Sequence, residues 1–185
     1  MKYLAVMIVL VLAGCASAPP QTATLRPEHG STAFTLNGRI SVKYDGERST
    51  ANLHWKHIAN DDDVLLLAPL GMTVAHIRRD NQGAEMDASG RHYVAQNSSE
   101  LMQQVLGWHL PLDGLQYWVL ARPQPGVEAE EKRDTDGRVD LLRQDGWEIH
   151  YMRYAAQASD SLPLRMTLQR EGLEILLLID EWQIQ

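Results

Sequence analysis

Val64-Leu65-Leu66-Leu67-Ala68-Pro69-Leu70-Gly71-Met72-Thr73-Val74-Ala75-His76-Ile77 reads as two apolar strand-like arms joined by a tight Pro69-Leu70-Gly71 turn. Four consecutive apolar residues, a Pro-x-Gly punctuation and then alternation are a hairpin by run length and turn chemistry. Its tip is unusual. Hairpin tips ordinarily carry Asn, Asp, Gly or Ser facing water, whereas Leu70 and Met72 flank the glycine here. Two readings stay open on these residues alone: the tip folds back into the core, or it stands out as an oily surface made to touch lipid or an apolar ligand.

Working outward, the same period of two recurs on both sides. Phe34, Leu36, Ile40, Val42 and Tyr44 alternate with polar residues, which predicts a long half-buried strand interrupted at Gly38. Asp45-Gly46 turns the chain into a second strand carrying Ala51, Leu53 and Trp55. Asn60-Asp61-Asp62-Asp63 is expected to be a solvated turn, because three neighbouring carboxylates cannot converge on one ion unaided. Downstream, Ala84, Met86 and Ala88 alternate, Ser89-Gly90 turns, and 91–95 forms a short strand. Asn97 followed by Glu100 is a helix start, Leu101, Met102, Val105 and Leu106 make one apolar stripe, and Gly107 closes it. A second short helix begins at Pro111-Leu112 and carries Leu115 and Trp118. The charge-rich stretch 128–138 is expected to be a solvated loop or hairpin end, followed by antiparallel pairs turning at Asp145-Gly146 and Glu171-Gly172. The predicted class is mainly β with a few helices, an antiparallel meander curled round short α-helices as a barrel or half-barrel.

The amino terminus has a different character. Residues 1–14 combine Lys2, an apolar run and small residues before Cys15, a secretory signal too short to span a bilayer. Leu12-Ala13-Gly14-Cys15 resembles the lipobox of bacterial lipoproteins, which implies cleavage before Cys15 and acylation of its thiol. Acyl chains contributing about 0.8 kcal/mol per buried CH₂ make a firm anchor without a transmembrane helix. In the Gram-negative lipoproteins that this segment resembles, aspartate after the cysteine signals retention at the inner membrane, so Ala16 implies the outer one. Residues 15–33 then read as a lipidated tether and 34–185 as a single folded domain. The net charge of −7 and the lack of a Lys/Arg cluster argue against nucleic acid and against anionic headgroups as partners.

No chemistry of turnover is visible. Cys15 is the only cysteine, the seven histidines lie at spacings that do not chelate together on a strand, and no nucleophile can be paired with a base. The expectation is therefore no catalytic residue, no metal, no cofactor and no enzymatic activity.

Taken together, the lipobox, Phe34-x-Leu36-x-Gly38-Arg39-Ile40-Ser41-Val42, Trp55, Pro69-Leu70-Gly71, the segment from Pro111-Leu112 to Trp118 and the closing Trp182 resemble the LolB family of outer-membrane lipoprotein receptors. The resemblance covers nearly the whole chain. It implies an incomplete β-barrel under helices on the periplasmic face of the outer membrane. It also implies a LolA-type periplasmic carrier as partner, acylated lipoproteins as cargo, the outer membrane as acceptor, and a monomer. Leu70 matches the family's protruding loop leucine, so Pro69, Leu70 and Gly71 are the expected membrane-insertion loop. Ile40, Trp55, Trp118 and Trp147 are the expected walls of an acyl-chain cavity. Docking to the carrier by charge would need Arg39, Arg78, Arg79 and Arg91 to cluster. The competing expectation is a structural or assembly lipoprotein that binds proteins through its sheet edges and has no lipid cavity.

Overall fold

A computed structural model describes residue 26, residues 33–109 and residues 111–184. The signal segment 1–14, Cys15 and all of the tether except Arg26 and Ala33 lie outside the described residues. Among the described residues, eleven strands form one antiparallel sheet. In chain order they are β1 (Phe34–Tyr44), β2 (Glu47–Ile58), β3 (Asp61–Leu67), β4 (Thr73–Arg79), β5 (Ala84–Ala88), β6 (Arg91–Ala95), β7 (Ala129–Arg133), β8 (Val139–Gln144), β9 (Trp147–Tyr154), β10 (Pro163–Arg170) and β11 (Leu173–Ile184). Helices α1 (Ser98–Leu106) and α2 (Leu112–Trp118) fall between β6 and β7.

The spatial order β6-β5-β4-β3-β2-β1-β11-β10-β9-β8-β7 decides the shape of the problem. The first and last strands pair in the middle, with Phe34 opposite Ile184 and Val42 opposite Ile175. The two sheet edges, β6 and β7, are consecutive in the chain, and they do not pair with each other. The helical segment that joins them must therefore cross the open side, where its apolar stripe covers the inner face of the sheet. Local chemistry sets the helix ends. Asn97 Oδ1 accepts the Glu100 amide at 2.9 Å, and Gly107 takes a left-handed φ of 79° as C-cap. Helix α2 lacks a side-chain cap of its own, but Ser98 Oγ of α1 accepts the Leu112 amide at 3.2 Å and ties the two helices together.

Because every connection between neighbouring strands is short, the turns sort to two ends. Asp45-Gly46, the Leu70 turn, Ser89-Gly90, Asp145-Gly146 and Glu171-Gly172 share one end with the carboxyl end of β1, while 59–60, 80–83, 134–138 and 155–162 share the other. The interior is packed at the second end and open at the first. Along the inner face of β1, Phe34 and Leu36 are fully buried, Ile40 and Val42 only half so, and Tyr44 is exposed. The packed end is aromatic: Phe34 stands edge-on to Trp55 and Trp182, at centroid distances of 5.1 and 5.5 Å.

One backbone position carries a large share of this register. β1 shifts against β11 between Asn37 and Gly38, and a Cβ on Gly38 would lie 2.1 Å from the Leu178 carbonyl oxygen. The obstacle is backbone in the centre of the sheet and cannot swing aside. Gly38→Ala is expected to destabilise the domain by roughly 2–4 kcal/mol, read as a lower urea midpoint with an unchanged slope. A midpoint equal to that of the unaltered protein would show that the bulge tolerates a methyl group.

Candidate functional site

The open end of the barrel holds a cavity of about 570 Å³, within the range of ligand sites. Inward positions of the central strands make its walls: Ile40 and Val42 from β1, Leu53 and Trp55 from β2, Ile175 and Leu177 from β11. Met102 and Val105 of α1 and Leu112 and Leu115 of α2 form its roof. Period-two strands and a period-3.6 helix thus present apolar faces to one hollow without filling it. Polar lining is sparse and includes Glu47, Ser49 and Ser89 beside the turns of the open end.

The hairpin of β3 and β4 lies at this mouth. Its turn is closed by the Ala68 amide donating to the Met72 carbonyl and the Gly71 amide donating to that of Ala68, both at 2.8 Å, with Gly71 at φ 83°. Side chains at the tip find nothing to pack on: Leu70 is 90% exposed and Met72 67%. Val74, half exposed, also lines the cavity, so an apolar track runs from the tip into the mouth. The tip therefore stands out from the body and does not fold back into the core.

Two of the four residues expected in the cavity walls, Ile40 and Trp55, line it. Trp118 and Trp147 do not. They pack on each other at 5.9 Å, fully buried on the β8–β9 side, with the Trp118 indole donating to Gln144 Oε1 at 2.8 Å and the Tyr151 hydroxyl donating to the Trp118 carbonyl. Gly114 explains the fit, since a Cβ there would meet the Trp118 ring at 2.7 Å. Val42, Leu53, Met102 and Leu177 complete the lining, and each sits at an apolar position of a strand or helix stripe, a pattern that marks an inward face without telling which part of it is hollow.

Beneath the floor, the acidic run departs from the solvated turn expected of it. Residues 61–63 begin β3, and the alternation that points Val64 and Leu66 inward also buries Asp62, which is 3% exposed. Its Oδ1 accepts from Trp55 Nε1 and His57 Nδ1, each at 2.8 Å, and its Oδ2 from Arg79 Nε at 2.6 Å. Arg79 in turn pairs with Asp113 on α2. A buried carboxylate is tolerable only with such partners. The cluster therefore holds the cavity floor, Trp55, and the roof helix in one network.

The outer face is electrically compensated. Arg39 pairs with Asp180, Arg78 with Glu85 and Asp87, and Arg79 faces inward, so these three guanidiniums do not form one positive surface. His76 faces Asp63 at 3.0 Å and His150 faces Glu148 at 2.6 Å, while His92 lies between two carboxylates, Asp87 at 2.8 Å and Glu85 at 3.7 Å. Among the described residues, no group of three or more His, Cys, Asp or Glu is placed to hold a metal ion.

Residues 32–182 match the family model described as "Outer membrane lipoprotein LolB". The outer-membrane lipoprotein LolB of Chromobacterium violaceum is 37% identical, covering 98% of each chain. That of Thiobacillus denitrificans is 38% identical, covering 99% of this chain and 98% of its own. In fold, the chain is similar to the LolA superfamily protein NE2245 from Nitrosomonas europaea, with a TM-score of 0.53 over 87% of this chain and 89% of that one, at 9% identity.

Proposed function

The chain belongs to the LolB family of outer-membrane lipoproteins, and from that premise we propose that it receives lipoproteins from a LolA-type periplasmic carrier, shelters their acyl chains in the cavity and inserts them into the inner leaflet of the outer membrane. The observation that carries the reading is the juxtaposition at one barrel end of an apolar-walled hollow and an exposed apolar tip. An acyl chain crossing water unshielded forfeits about 0.8 kcal/mol for each CH₂. The walls of Ile40, Val42, Leu53, Trp55, Ile175 and Leu177 supply the shield, and the track through Val74 leads to the Leu70 turn. Cys15 anchors the body by its own acyl chains, which leaves Leu70 free to act on the bilayer without having to hold the protein there. No bond is made or broken in such a transfer. It runs downhill when affinity rises from carrier to cavity to membrane, so the cavity must hold lipid with intermediate strength. The sparse polar lining and open mouth favour that compromise, and the protein acts as a monomer.

A protein-binding assembly lipoprotein would have no use for this hollow, and the two readings separate in one assay. Protein lacking Cys15 is expected to bind a fluorescent fatty acid and release it to an acylated lipopeptide. Ile40→Trp, which fills space at a half-buried position, is expected to weaken that binding at least tenfold, about 1.4 kcal/mol, with little change in stability. Absence of displaceable binding in the unaltered protein would overturn the receptor reading.

A further inference from the structure

We propose that Glu47 makes the hollow selective, admitting acyl chains on an uncharged linkage, as in an acylated protein terminus, and turning away the phosphate of membrane phospholipids. The inference deepens the receptor reading and rests on it. The inner face of β2 carries the argument. Glu47, Ser49, Ala51, Leu53 and Trp55 share that face by alternation, and all of them line the hollow. Glu47 and Ser49 are exposed, Ala51 is half-buried, and Leu53 and Trp55 are buried. The wall therefore passes from a carboxylate at the rim through a hydroxyl to an apolar floor. From Glu47 to Leu53 the strand rises about 20 Å, comparable with an extended palmitoyl chain. A lipid whose tail reaches Leu53 thus holds its linkage group level with Glu47 and Ser49.

Among the described residues that line the hollow, Glu47 is the one ionised side chain, with no lysine, arginine or histidine beside it. Within the described residues no ion pair or side-chain hydrogen bond takes up its carboxylate. The cations of this end are held elsewhere. Arg48 donates to Ser41 Oγ at 3.1 Å and stands 3.7 Å from Glu174, on the outer face. Lys43 is opposite Arg48 in the ladder and shares that face. Arg170 lies 3.8 Å from both Asp145 and Glu171. Arg91 begins the edge strand β6, which β5, β4 and β3 separate from β2.

A phosphate brought to the mouth therefore meets an unpaired carboxylate. The discrimination matters at a bilayer. The Leu70 turn carries the mouth to a surface made of phospholipids, and each of them offers the same hydrocarbon as the cargo. Apolar walls cannot tell the two apart, because the gain from burying CH₂ groups follows their area and not what they are attached to. Charge at the linkage is the difference that remains: ester and amide carbonyls in the one, an ionised phosphate in the other. A repulsive group at that level rejects the wrong ligand without weakening the right one.

The test compares two lipids with the same chains. Mature protein carrying Cys15→Ala is loaded with an uncharged fluorescent fatty-acid methyl ester. The probe is then displaced by dioctanoylglycerol or by dioctanoylphosphatidylglycerol, each below its micellar concentration. The preference for dioctanoylglycerol, read as the ratio of half-displacing concentrations, is expected to fall about fivefold in Glu47→Gln and about twentyfold in Glu47→Lys. In about 0.5 M salt, where screening acts within about 4 Å, the preference of the protein with Glu47 intact is expected to fall toward that of Glu47→Gln, which itself changes little. Asp61→Asn removes the same charge from an exposed position at the packed end and is expected to leave the ratio as it is, which separates local from net charge. Near-UV circular dichroism confirms an intact body in each variant. A ratio that Glu47→Lys does not move, or that Asp61→Asn moves equally, overturns the inference and leaves the receptor reading in place. Displacement by neither lipid defeats both.

Discussion

Leu70→Glu is expected to leave folding and fatty-acid binding intact while reducing delivery of a labelled lipoprotein into outer-membrane vesicles about a hundredfold or more. A leucine moved from water into the acyl region contributes about 1.5–3 kcal/mol, and a carboxylate forced there adds roughly 2 kcal/mol or more of opposing cost. Since about 1.4 kcal/mol is a factor of ten, the swing exceeds two decades, whereas Leu70→Ala, losing only the attraction, is expected to cost about tenfold. The fold has no stake in either change. Leu70 is 90% exposed, and its turn is closed by the backbone bonds of Ala68, Gly71 and Met72. The unfolding free energy of either variant in urea should therefore stay within about 0.5 kcal/mol of the unaltered protein. The comparison that decides is between two assays on one preparation: release of a fluorescent fatty acid from the cavity, and appearance of labelled lipoprotein in vesicles. Delivery at the unaltered rate by Leu70→Glu would remove the tip from the mechanism and leave the cavity alone to explain transfer.

The hairpin that bears this tip was legible because run length, Pro-x-Gly and alternation agree, and the same consistency marked β1, the Asn97 cap and the Gly107 stop. What period and composition could not supply was depth. Trp118 and Trp147 have the same side chain as Trp55, yet only Trp55 borders the hollow; which large residue faces empty space depends on where the sheet curves away from the helices, a property of the whole assembly. Asp62 failed for another reason. Three adjacent acidic residues suggest water by composition, but strand alternation sends the middle one inward, and the signal was there in the register of Asp62 with Val64 and Leu66 on one side and Trp55 and His57 on the other. The stretch 128–138, expected as a solvated loop or hairpin end, does end a hairpin at 134–138, but it also contains β7: Ala129–Arg133 is an edge strand whose charged side chains erase the alternation that would reveal it.

That misread carboxylate is where a single substitution should do most harm to stability. Asp62→Ala is expected to destabilise the domain by about 3–5 kcal/mol, a large part of the 5–15 kcal/mol typical of a folded chain. The loss is not that of one favourable contact. Removing the carboxylate leaves Arg79, whose side chain is only 9% exposed, with no partner on its inner side, and strips Trp55 Nε1 and His57 Nδ1 of their acceptor. Each becomes a buried polar group without compensation, which is costlier than never having had the group. Two further variants separate this account from simple loss of packing. Asp62→Asn keeps an acceptor for the indole or the imidazole but no negative charge for Arg79, so an intermediate loss is expected. In Asp62→Ala/Arg79→Leu the orphaned cation is gone, and stability is expected to return part of the way, because Trp55 Nε1 and His57 Nδ1 still lack their acceptor, with a coupling of about 2 kcal/mol between positions that touch. Strictly additive losses would mean that Arg79 finds water or Asp113 sufficient on its own. Since Arg79 also ties α2 to the sheet through Asp113, the double variant is expected to refold with its roof less firmly held. Release of a fluorescent fatty acid faster than from Asp62→Asn, which keeps Arg79, would report that loosening and would show the buried cluster setting how tightly the cavity keeps a bound acyl chain.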